Sequence, residues 1–212
     1  PGEVLQDTIL GAGGLTVTGG LMGTLALVLF LGGPAGTTAL AAGGKRDTGA
    51  VRLLKTIPVP VSSLNTTAGA MYSFDISFVD QATQTYFLAD RSNRAVDVVD
   101  ARTATFVRQI RATPDFRGFL PCSPPAGPND CAGPNGVVSA FPWLFVTDSP
   151  SRVVTIDLRN GNTVADVVTK AGEQTRADEL AYDPSDGVLL VINNAAAPPF
   201  AAGGAARFRA PL

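Results

Sequence analysis

From Val51 onward, apolar residues come in short runs, each closed by a polar turn rich in Gly, Asp, Asn, Ser or Thr. Little of this stretch has the three-to-four spacing of an amphipathic helix, so the pattern predicts strands. Two segments share one layout, TYFLADRSNRAVDVVDARTATFVRQI (85–110) and WLFVTDSPSRVVTIDLRNGNTVADVV (143–168). In each, an apolar run ends in Asp (Asp90, Asp148) and a polar turn follows. A β-branched run then ends in Asp (Asp100, Asp157), and a second turn leads to a third apolar run. A third, partial copy is RADELAYDPSDGVLLVINN (176–194). Glu179 precedes Asn194 by fifteen positions, as Asp75 precedes Asp90, which sets Leu180 and Tyr182 opposite Ile76 and Phe78. Gly187 in its DPSDG turn supplies a backbone free to take positive φ.

A four-stranded unit repeating every ~40–60 residues is the mark of a β-propeller blade. The runs are almost continuously apolar, as they are when a sheet packs on both faces. The predicted strands lie near 72–79, 85–90, 95–100 and 104–110 in one blade and 136–140, 143–148, 152–158 and 163–169 in the next. A third blade opens with 177–182 and 188–193. VRLLKTIPV (51–59) reads as the last strand of a preceding blade or as a ring-closing strand. The fold class is therefore all-β, a partial propeller of about three blades. An apolar Gly-rich segment (1–44) precedes the blade region (45–200), and AAGGAARFRAPL (201–212) reads as an irregular tail.

Between Thr8 and Gly44 there is no charged residue, and LMGTLALVLFL (21–31) is the most apolar stretch. An apolar core, then Gly-Gly-Pro, then the small-residue triplet Ala39-Leu40-Ala41, fits a secretory signal cut after Ala41. Against it, the start carries Glu3 and Asp7 where a signal has positive charge. Residues 9–31 are also long enough to span a bilayer, and a Gly-rich linker is the third reading. Signal or anchor would place the blades outside the cytoplasm: periplasmic, cell-surface or extracellular.

Composition narrows the function. With 16 Lys and Arg against 18 Asp and Glu, there is no basic surplus to attract nucleic acid. The chain has 0 His, which excludes a Ser-His-Asp or Cys-His mechanism within it. Cys122 and Cys131, in CSPPAGPNDC, suit a disulfide closing a small loop in an oxidising compartment; two free thiols are the alternative.

FVTD (145–148) followed by SPSRVVTID resembles the YVTN-type repeat of bacterial β-propellers, with FLADRSNRAVDVVD and VINN as looser copies. RAVDVVDARTATFVRQI, GPNGVV and RADELAYDPSDGVLLVINNAAAPPF resemble one group of exported bacterial propeller proteins. The likeness covers about 51–200 and implies the fold; it implies no activity, because propellers host binding modules and enzymes alike. The repeats number about three where closed rings have roughly four to eight, so the chain is expected to be the front part of a longer protein or a truncated reading of one.

Arg176, Asp178 and Glu179 form the sharpest polar cluster, and Asp75 is the counterpart of Glu179 by spacing. Their functional reading is a ligand or ion site at the propeller's central channel, with weak support for Ca²⁺. Otherwise they are a salt-bridge network tying blades together. Asp90, Asp148, Asn194, Asp100 and Asp157 read as turn caps, and Trp143 as core packing. Asn65-Thr66-Thr67 is a sequon relevant only in a eukaryotic secretory host. The reading favoured is an exported, non-catalytic propeller binding a protein or small molecule. The membrane is a partner only through an uncleaved N-terminus. A propeller enzyme of lactonase or quinoprotein type with a channel metal is the alternative, and an envelope-anchored structural role the third.

Overall fold

The computed structural model describes residues 24–27, 51–120, 122, 127, 129–193 and 204–209. Strand β1 (Thr24–Leu27) pairs antiparallel with β2 (Lys55–Pro58), Leu25 opposite Ile57. Then come β3 (Ser77–Asp80), β4 (Thr85–Asp90), β5 (Ala95–Asp100) and β6 (Thr105–Ile110), which form one antiparallel sheet in chain order. A second such sheet holds β7 (Val137–Ala140), β8 (Trp143–Asp148), β9 (Arg152–Asp157) and β10 (Asn162–Val168). The third holds β11 (Ala177–Asp183), β12 (Val188–Asn193) and β13 (Gly204–Arg209). The chain is all-β, a partial β-propeller of three meandering blades. Among the described residues no helix is long and apolar enough to cross a membrane.

The turns explain the meander. Asp80, Asp100, Asp157 and Asp183 each end a strand, and Oδ1 of each accepts backbone N–H groups two or three residues on. Near the end of six turns a residue takes positive φ: Gln84, Arg94, Ala104, Ser151, Gly161 and Gly187. Carboxylate cap and left-handed residue together reverse the chain within a few residues.

Burial follows position in the blade. The middle strands β4, β5, β8 and β9 are buried almost throughout, whereas the outermost strands β6 and β10 are mostly exposed. The innermost strands lie side by side, β3 next to β7 and β7 next to β11, so they line the central axis. Three apolar layers hold the fold, two of them between blades. Ile57, Val59, Met71 and Phe74 pack on Tyr86, Leu88 and Val99 of the first. Phe87, Val96, Val98 and Phe116 meet Leu144, Val146, Val154 and Ile156 between the first and second. Phe145, Val153 and Val138 meet Leu189, Val191 and Ala177 between the second and third. Each such buried side chain contributes roughly 1.5–3 kcal/mol.

Two expectations need correction. The first blade's inner strand begins at Ser77, not near 72, because the preceding N–H groups diverge: Asp75 donates to Ala89 O, but Ile76 donates across to Asn135 O in the next blade. The tail read as irregular contains β13, which pairs along all of β12 from Val188↔Arg209 to Asn193↔Gly204. Its Gly-Ala-Ala-Arg-Phe-Arg has no β-branched residue, but the open edge of β12 supplies a template that overrides weak propensity. The predicted signal or anchor (1–44) lies outside the described residues apart from β1.

Candidate functional site

The axial ends of the inner strands carry a polar arc drawn from all three blades. Asp75 leads into β3, Asn135 into β7 and Arg176 into β11. Asp75 N and Asn135 N donate to equivalent carbonyls, Ala89 O and Thr147 O, each one residue before the recurrent Asp. The repeat thus sets these side chains at matching places around the axis.

Arg91, on the turn after β4, joins them. It ion-pairs with Asp75, and its Nε donates to Asn135 Oδ1 at 3.0 Å. Asn135, fully buried, donates from Nδ2 to Ala177 O at 2.8 Å, so one amide reaches the first and third blades. Arg176 pairs with Asp178 at 3.0 Å. Its Nη1 donates to Asn129 O at 2.8 Å and its backbone N–H to Asp130 O at 2.7 Å. Both carbonyls belong to the loop closed by the Cys122–Cys131 disulfide, whose Cα atoms lie 5.5 Å apart. The loop predicted from cysteine spacing therefore helps hold a member of the arc.

Asp75 and Asp178 come within hydrogen-bonding reach of each other, bringing carboxylates of the first and third blades together. Burial pushes the Asp75 carboxyl up to about 6, opposed by Arg91 and reinforced by the charge of Asp178. Burial likewise lowers the Arg91 guanidinium, against the pull of Asp75. Asp75 is the more open partner of its ion pair, with 26% of its side chain exposed against 5% for Arg91.

The four sequence candidates divide. Asp75, Arg176 and Asp178 converge; Glu179 is exposed. Equal spacing made Glu179 the counterpart of Asp75, but the β11–β12 register shifts between Ala177 and Leu180. That bulge takes up an extra residue, and Asp178 approaches Asp75 instead. Arg91 and Asn135 were not singled out from the sequence, although GPNG and the Asp-Arg after β4 were visible there. The glycines of GPNG have steric reasons. A Cβ on Gly136 would lie 2.5 Å from Asp178 O, and one on Gly133 would run into Asp148 Oδ1.

The recurrent aspartates serve structure. Asp90 accepts Asn93 N–H at 3.0 Å. Asp148 is fully buried, accepts Arg117 N–H at 3.2 Å and pairs with Arg152 at 2.7 Å; burial nevertheless raises its carboxyl to about 6. Asn194 lies outside the described residues. Trp143 packs in the layer between the second and third blades, with the Arg159 guanidinium 5.5 Å from its ring centre. The Asn65 amide of the sequon is engaged by Ala70 O and Asn93 Oδ1.

A divalent cation does not fit the arc. Two guanidinium groups flank its two carboxylates, and among the described residues no three His, Cys, Asp or Glu side chains converge. What the arc offers is paired donors and acceptors of both charge signs in a partly dry setting, where polar contacts are stronger than in water.

No protein-family model and no curated protein matches the chain. Among solved structures it is similar to a luciferin-regenerating enzyme at 15% identity and a TM-score of 0.43, over 66% of this chain. The chain spans 45% of that protein's length. By its own sheets and their meandering order, the chain is a partial β-propeller.

Proposed function

We propose that this chain belongs to an exported, non-catalytic propeller of the YVTN-repeat kind that binds a protein or small polar ligand at the axial end of its inner strands. The supporting observation is the arc of Asp75, Arg91, Asn135, Arg176 and Asp178. It gathers both charge signs from three blades, and burial raises the carboxyl of its most open member, Asp75. Convergent polar groups with shifted titration recur at ligand-binding sites. Export is supported by the disulfide, which persists in oxidising compartments, and residues 1–44 fit a leader or anchor in that scheme.

A second reading has its own observation. A carboxyl at about 6 within reach of another carboxylate lies in the range used for acid–base chemistry. A propeller hydrolase of the lactonase kind would use that pair, with metal donors drawn from beyond this arc.

Thermal melting with a panel of free amino acids, dicarboxylates and oligosaccharides, repeated on Asp75→Asn, separates the two. Binding predicts an upward shift with at least one compound in the parent and none in the variant, without turnover of an aryl lactone. Lactone hydrolysis that disappears in both Asp75→Asn and Asp178→Asn would replace the binding reading with the enzymatic one.

A further inference from the structure

A second carboxylate pair, remote from the arc in its bonding, lies where the first blade meets the segment leading into it. Asp90 ends β4 and Asp97 lies in mid-β5; both have no exposed surface. Asp97 stands opposite Leu88 in the ladder, so Asp90, two residues on, is its diagonal neighbour on the same face, and the charge of Asp90 acts on Asp97. Asp97 Oδ2 is buried with no hydrogen-bond partner among the described residues. Burial raises both carboxyls, and the neighbouring charge of Asp90 raises Asp97 further, well above the usual carboxylate range.

The pair is tied to residues 60–65 by two side-chain amides. Gln109 Nε2 donates to Asp97 Oδ1 at 3.1 Å and to Pro60 O at 2.9 Å. Asn93 Nδ2 donates to Asp90 Oδ2 at 2.6 Å, while Asn93 Oδ1 accepts Ser62 N–H and Asn65 Nδ2, each at 2.9 Å. The other ionisable groups against this region are Tyr86 on β4, whose phenol feels Asp97, and Arg111 after β6, which donates to the Ser62 and Ser63 hydroxyls. Arg111 therefore spends its contacts on the segment, and among the described residues no cation pairs with either carboxylate.

We propose that Asp90 and Asp97 form an acid-set latch: with a proton on the pair, they hold residues 60–65 on the first blade through Asn93 and Gln109, and full ionisation releases that segment. Two uncompensated charges in a dry site repel each other and draw water. The amides between them and the segment are the bonds that water replaces. Ile57 and Val59, buried just ahead, would lose their anchor on the C-terminal side.

The Ser62 amide reports the latch directly. Its exchange protection, corrected for intrinsic rate, is expected to fall at least tenfold between pH 5 and pH 9, while amides of β9 in the second blade hold theirs. In Asp97→Asn, a neutral near-isostere, protection at Ser62 is expected to be the same at both pH values. A flat profile in the parent, or an equal fall in Asp97→Asn, overturns the proposal. Carboxyl carbon titration by NMR in the unaltered protein gives a reading free of the variant's folding: Asp97 ionising below pH 5 also overturns it.

Discussion

At the scale of single residues, Arg176 and Glu179 sit three positions apart and differ entirely in setting. Arg176 is largely buried, pairs with Asp178 and holds the carbonyl of Asn129. Truncating it removes the ion pair with Asp178 and the donor to that carbonyl in a partly dry site. Arg176→Ala is expected to destabilise by about 1–3 kcal/mol. Glu179 is exposed, so Glu179→Gln is expected to lie within about 0.5 kcal/mol of the parent. Urea unfolding of the two variants checks both. Equal effects would mean that the bulge in β11 does not set the two side chains apart in solution. Spacing alone predicted the reverse partner for Asp75, because a count along the chain does not register a bulge; only the ladder does.

Among the elements, the disulfide-closed loop is more than a connector between the second and first blades. Its Asn129 and Asp130 carbonyls hold Arg176, and Gly118 and Gly133 pair across its base. Closing nine residues of chain restricts the unfolded state by up to about 3 kcal/mol. Replacing both Cys122 and Cys131 with Ser is expected to lower stability by no more than that. Hydrogen exchange should speed at the Arg176 amide and stay unchanged in β8 and β9. Loss of protection throughout the second blade would show that the loop is part of that blade's core. The strand assignments of β4, β5, β8 and β9 were legible in advance because their periodicity and bounding turns agree. β13 was not, since its residues have no strand character apart from their partner β12.

For the molecule as a whole, the raised carboxyls dictate how stability depends on pH. Asp75 and Asp148 titrate near 6 in the folded chain, above the ordinary carboxyl value they have when unfolded. The folded state then holds protons that the unfolded state has released. Their stabilising effect is complete below about pH 4 and is lost as pH rises through about 6. For fully buried Asp148 this amounts to at most about 3 kcal/mol. The turn carboxylates work the other way: Asp100, Asp157 and Asp183 are held low, chiefly by hydrogen bonds from Thr103, Arg159 and Ser185 respectively. What they contribute is lost as pH falls below the usual carboxylate range. The melting temperature is therefore expected to peak near pH 5 and to fall toward pH 8. A maximum at pH 7–8 would mean that Asp75 and Asp148 are ionised in the folded chain at neutral pH, their arginine partners prevailing over burial.

The sequence by itself determined the fold class and most of the strand and turn plan, because those depend on local alternation and turn chemistry. Asp before a polar turn, as at Asp100 and Asp157, needs only the next few N–H groups to act as a cap. It also favoured a Cys122–Cys131 bridge over two free thiols, and the bridge is formed. The tertiary structure alone decided which side chains meet at the axis. Asp75, Asn135 and Arg176 belong to three blades, and their meeting depends on inter-blade packing and on one bulge. The same holds for Asp90 and Asp97. Each looks like an ordinary polar position in its own strand; only the fold buries both and ties them through Asn93 and Gln109 to residues 60–65.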